Sequence, residues 1–129
     1  MRLISNGNPL YLGDKKQFRL IDRWVFQHDR MGCTFVVLSG YRSDLASVPK
    51  FIWWWQWGKW NLAAIAHDYI YEHGYILQSI GDELIKVRFN RKSADVLFLE
   101  VMLSIGVRPR TARLMYLAVR LFGGRYWLH

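Results

Sequence analysis

His67, Asp68 and Tyr71 stand together in LAAIAHDYIYEHG, residues 62–74, and are residue types with which a protein can move a proton and hold a cation. On a helix His67 and Tyr71, four apart, share a face, while Asp68 is turned about 100° from His67. An imidazole takes a proton from water near neutral pH when a second group fixes which nitrogen is free. Asp95 is the candidate for that group. It lies in RKSADVLFLEVM, one turn before Phe98 and Leu99 and two before Met102, on or beside an apolar stripe, and a buried carboxylate needs a partner. Two partners are open. One is Arg91, four residues earlier on the same helix, which would make an ordinary ion pair. The other is His67 on a facing helix, if the two helices pack antiparallel. In that case Asp95 orients the imidazole and Tyr71 gives a phenol hydrogen bond to Asp95. Asp68, turned toward the rim, would then hold a hard cation that polarises an ester carbonyl. The plainer alternative is that His67, Asp68 and Tyr71 satisfy one another and nearby backbone.

The elements that must position these residues follow from pattern. From Pro9 to Tyr41 the chain is β-like: KQFRLIDRWVF and CTFVVLSGY are rich in aromatic and β-branched residues, and Asp29 and Gly32 in QHDRMG suit a hairpin loop. Two or three antiparallel strands are expected. YRSDLASVPK then reads as a loop leading to a short helix near Pro49. Leu62, Ala63, Ile65, Ala66, Tyr69 and Ile70 give a helix ending at Gly74. YILQSIGDELIKVRF is open between a connector and a short helix. Asn90 is placed to cap the helix RKSADVLFLEVMLSIG, and a last helix runs from Pro109 through TARLMYLAVRLF to Gly123 and Gly124. The expectation is an α+β protein in one domain, residues 1–129: a small antiparallel β-layer of two or three strands in a β-rich part, 1–45, then three or four packed helices in 46–129.

Composition narrows the classes. With 129 residues, 52% hydrophobic and 16% aromatic, the chain can fill one core. Its formal charge of +8 is spread, roughly +5 before Asn61 and +3 after it, with no run that reads as a nucleic-acid tail. The lone Cys33 cannot form an internal disulfide and reads as a small buried residue in a reducing compartment. MRLISNGNPLYLG is interrupted by Asn6, Gly7, Asn8 and Pro9, so no signal peptide is expected, and no apolar stretch is long enough to span a bilayer.

SDLASVP (43–49), AAIAHDYIY (63–71), RKSADVLFLEVM (91–102) and ARLMYLAVRLFGG (112–124) resemble, in that order, the motif blocks of an uncharacterised family of unknown function encoded mainly by bacteriophages and prophages. AAIAHDYIY followed by FNRKSADVLF is also similar to the helix pair of phospholipase A2 enzymes, especially the cysteine-free form in parvovirus capsids. That second resemblance implies His67 as general base, Asp95 orienting it, Tyr71 in support and Asp68 as calcium ligand. The glycine-rich calcium loop of phospholipases is not visible upstream. Gly40 is the only nearby glycine there, and Asp44, the only nearby carboxylate, is the remaining candidate ligand.

FIWWWQWGKW holds five of the seven tryptophans, Trp53, Trp54, Trp55, Trp57 and Trp60. They cannot all point inward from one short helix, so some should meet a protein partner, a lipid interface or solvent. Arg110, Arg113 and Arg120 fall in one sector of the last helix, opposite an apolar face with Leu114, Leu117, Ala118 and Leu121, and are candidates for phosphate contact. Lipid headgroups rank ahead of nucleic acid, for which no reading motif is present. Two functions remain. One is a virion-associated component, of the tail or cell-penetration apparatus, that docks on other phage structural proteins and carries the His–Asp helices as scaffold. The other is a calcium-assisted hydrolase of lipid or other envelope esters. The expected location is the virion or the host cytoplasm.

Overall fold

A computed structural model describes residues 2–6, 9–12, 17–20, 22–28, 32–43 and 61–128. Asp44, the five clustered tryptophans and the expected helix near Pro49 lie outside the described residues.

The class is α+β, with more strand than the sequence suggests. One antiparallel sheet has the order β1 (Arg2–Asn6), β4 (Trp24–His28), β5 (Cys33–Val37), β7 (Tyr75–Ile80), β8 (Glu83–Arg88). A smaller one joins β2 (Pro9–Leu12), β3 (Gln17–Leu20) and β6 (Arg42–Ser43). The expected hairpin is β4–β5, where Trp24 faces Val37 and His28 faces Cys33, with Gly32 in the left-handed region that its loop requires. Alternation along β4 buries Trp24, Phe26 and His28, and Phe35 on β5 continues the aromatic row through Phe26 to Phe89.

Three helices follow: α1 (Asn61–His73), α2 (Arg91–Ser104) and α3 (Pro109–Phe122), then a 3-10 turn at Gly124–Tyr126. Residues 63–67 of α1, Ala-Ala-Ile-Ala-His, are all buried, as are Tyr69, Ile70 and Tyr71. A helix covered on nearly every side belongs in the middle of a fold, and its three alanines let neighbours approach closely. It packs against β7 and α2, and α2 in turn packs against α3. Gly74 ends α1 with φ 77° and donates its N–H to the Ile70 carbonyl. Asn90 caps α2 by accepting the Ser93 N–H at 2.7 Å.

The open stretch after Gly74 is neither connector nor helix. It is the β7–β8 hairpin, turning at Gly81 and Asp82 with Ile80 opposite Glu83. It joins the main sheet where Phe35 and Val36 meet Gln78 and Leu77, so the helical half of the chain contributes two strands. Cys33 is half-buried and forms no disulfide.

A buried histidine–aspartate centre as candidate functional site

Asp95 meets His67. In α2 the stripe of Ala94, Leu97, Phe98, Val101 and Met102 turns toward the core, and Asp95 goes in with it, fully buried. Its Oδ1 lies 2.5 Å from His67 Nε2 and accepts the Tyr71 hydroxyl at 2.6 Å. Its Oδ2 accepts Arg120 Nη1 at 2.8 Å. The carboxylate therefore receives three donors from two other helices, His67 and Tyr71 on α1 and Arg120 on α3.

The alternative ion pair with Arg91 does not form. Arg91 instead donates from Nε to the Tyr71 hydroxyl at 3.1 Å, and its Nη2 donates to the carbonyls of Val119 and Arg120 at 2.9 and 2.6 Å. It thus clasps the last turn of α3 and holds in place the segment that delivers Arg120.

These contacts set the electrostatics. Burial pushes the Asp95 carboxyl up, but the hydrogen bond and charge of His67, with Tyr71 and Arg120, outweigh it, and the group stays below the usual carboxylate range. Burial, then the hydrogen bond to Asp95, pushes the Tyr71 phenol above its usual range, against the opposing pull of Arg91. Asp95 is thus an anion, and only donors face it. His67 must present an N–H from Nε2. The imidazole is further fixed between the rings of Tyr71 and Phe98, at centroid separations of 4.1 and 4.8 Å. It is 1% exposed.

The surroundings are fitted to Tyr71. A Cβ on Gly123 would come within 2.5 Å of the Val119 carbonyl and 3.1 Å of the Tyr71 hydroxyl. Beyond α3 the chain returns over the same residue, with the Trp127 ring edge-on at 5.3 Å and the Leu128 N–H bonded to the Tyr71 carbonyl.

Of the residues expected from the sequence, the structure brings together His67, Tyr71 and Asp95. Asp68 is half-buried beside them. Arg120 is not on an outer phosphate-contacting face with Arg110 and Arg113: its guanidinium is committed to Asp95, and those two are exposed. The expected faces of α3 are also corrected: Arg110 and Arg113 lie alongside the leucines, not opposite them. Thr111, Ala112, Met115, Ala118 and Val119 are buried, while Leu114, Leu117 and Leu121 face outward. The physical reason lies in α2: Asp95 takes the Arg120 guanidinium and Arg91 bonds the carbonyls of Val119 and Arg120, which holds α3 with its small residues inward.

A second pair was missed altogether. His28, buried on β4, bonds through Nε2 to Glu100 Oε2 on α2. It ties sheet to helix, and no spacing in the sequence signals a contact across 72 positions.

A hard cation takes six to eight oxygen ligands. Asp68 contributes one carboxylate, and among the described residues no group of three or more His, Cys, Asp or Glu is placed to hold a metal. The described residues therefore do not by themselves fit a calcium site.

The centre is thus a histidine held by a buried aspartate that also accepts from a tyrosine and an arginine, drawn from three helices. The chain carrying it belongs to DUF1353, a family of proteins of unknown function, which it matches over residues 18–119. Searches of curated proteins and of solved structures return no match.

Proposed function

We propose that the chain is a bacteriophage-encoded protein whose α1–α2 pair activates water to hydrolyse an ester of a lipid or another envelope component. The single observation that supports this reading is the bonding of Asp95 Oδ1 to His67 Nε2, which holds the imidazole in one orientation. In the reaction Nδ1 takes a proton from water while the water oxygen bonds to the ester carbonyl carbon. Asp95 stabilises the imidazolium that forms, and Tyr71 and Arg120 keep the carboxylate anionic and in place. The tetrahedral intermediate then expels the alkoxide, which recovers the proton from Nδ1. No step is routed through a cation. Because His67 is 1% exposed, turnover needs the side chains over the ring to move aside.

The test is hydrolysis of phospholipid vesicles, with and without calcium, by wild type and His67→Ala. Removal of a general base lowers the rate by about 10²- to 10⁴-fold. Equal rates in the two proteins would refute the reading.

A second reading is favoured by that same burial of His67. Here the pair only specifies how α1 and α2 pack in a virion component that docks on other phage proteins. Copurification with intact particles, lost on Trp54→Ala or Trp57→Ala while wild type shows no hydrolysis, would select it.

A further inference from the structure

We infer that the outer face of α3 is a docking surface for an anionic lipid membrane. Leu114, Leu117 and Leu121 are 46%, 55% and 75% exposed. At spacings of three and four they form one stripe along the helix. A soluble surface helix ordinarily turns such residues inward. Here the inward positions are filled by Thr111, Ala112, Met115, Ala118 and Val119, and the large apolar side chains are left outside.

Charge says what covers them. Glu100 is the last acidic residue in the sequence, and residues 101–129 contain Arg108, Arg110, Arg113, Arg120 and Arg125 with no Asp or Glu. Arg120 is held by Asp95. The other four are exposed. Arg110 stands one turn before Leu114 and two before Leu117, and Arg113 one turn before Leu117, so cations border the leucine stripe. A helix with a leucine face edged by arginines lies in the plane of a membrane interface, apolar side chains at the acyl boundary and guanidiniums at the phosphates. A second copy of the chain would bring arginine against arginine in a two-fold contact, and a nucleic acid would leave the leucines wet.

The docking stands on α3 alone. It narrows the substrate of the proposed hydrolysis to an ester held in a bilayer, and that narrowing rests on the hydrolase reading.

The experiment is cosedimentation of the full chain with vesicles of equal parts phosphatidylglycerol and phosphatidylcholine, or of phosphatidylcholine alone. Wild type, Leu117→Gln/Leu121→Gln, Arg110→Ala/Arg113→Ala and His67→Ala are compared. All the α3 substitutions are at exposed positions, so the fold is retained. Wild type should bind the mixed vesicles more strongly than the neutral ones, and less strongly as salt is raised. The leucine variant should lose binding by at least about tenfold, the arginine variant by roughly fivefold per arginine removed, and His67→Ala should bind as wild type. Binding without hydrolysis by wild type upholds the docking and overturns only the hydrolase reading. Failure of wild type to bind the mixed vesicles, or equal binding by the leucine variant, would overturn the docking, as would a wild-type dimer abolished by the leucine substitutions in place of vesicle binding.

Discussion

Replacing Asp95 by Asn keeps the shape of the side chain and removes the charge on which the centre is organised. The carboxylate accepts three donors, from His67, Tyr71 and Arg120. An amide offers one acceptor oxygen and two N–H donors, so at least one of the three is left facing a donor. Loss of one member of a buried charged pair costs about 3–5 kcal/mol. The Arg120 side chain is 31% exposed and recovers part of its solvation from water, which places the cost near the lower bound, about 3 kcal/mol. For a chain of this size that is a fall in Tm of roughly 10–15 °C. Denaturant and thermal unfolding at pH 7 measure it. The acid limb supplies the sign. A carboxylate with a depressed pKa in the fold contributes stability that is present above its unfolded pKa of about 4 and is lost as pH falls through the folded value. The gap between wild type and Asp95→Asn should therefore be flat above about pH 5 and close in acid. A gap under about 1 kcal/mol at neutral pH, the worth of an exposed pair, or one that persists unchanged at low pH, would refute the reasoning.

Two further outcomes follow from the same centre. Tyr71→Phe removes a hydrogen bond to an anion and leaves Arg91 Nε unpaired, a loss of about 1.5–3 kcal/mol. Because the Tyr71 phenol is raised in the fold, its contribution is complete below an unfolded pKa of about 10 and is lost as pH rises through the folded value, so the variant should show the weaker alkaline dependence in unfolding experiments. Gly123→Ala places a methyl 2.5 Å from the Val119 carbonyl and 3.1 Å from the Tyr71 hydroxyl, and should cost about 1–3 kcal/mol. Its effect should be less than additive with Tyr71→Phe in a double-mutant cycle.

The parts of this architecture that were legible in the sequence are those with local chemistry. Gly74 closes α1, Asn90 caps α2 and Pro109 opens α3 because backbone groups at helix ends demand such residues wherever the helix sits. The His67–Asp95 contact was legible as one of two alternatives, since a carboxylate on a buried stripe has few partners. The β7–β8 hairpin was not, because YILQSI and ELIKVR are short and mix strand and helix formers. Gly81, at φ 59°, followed by Asp82, is the local signal for a tight hairpin turn there. The rotation of α3 was misread for a tertiary reason. Its three exposed leucines are larger apolar groups than its alanines, and contacts from α2 oppose that pattern: Arg120 reaches Asp95 and Arg91 holds the carbonyls of Val119 and Arg120.

The orientation of His67 decides the account most directly, because every catalytic role assigned here depends on which nitrogen faces Asp95. Two-dimensional ¹⁵N–¹H spectroscopy of the His67 ring at neutral pH reads it. The contact with Asp95 predicts a proton on Nε2. A ring protonated on Nδ1 with Nε2 bare would contradict it, since a bare Nε2 cannot bond an ionised Asp95.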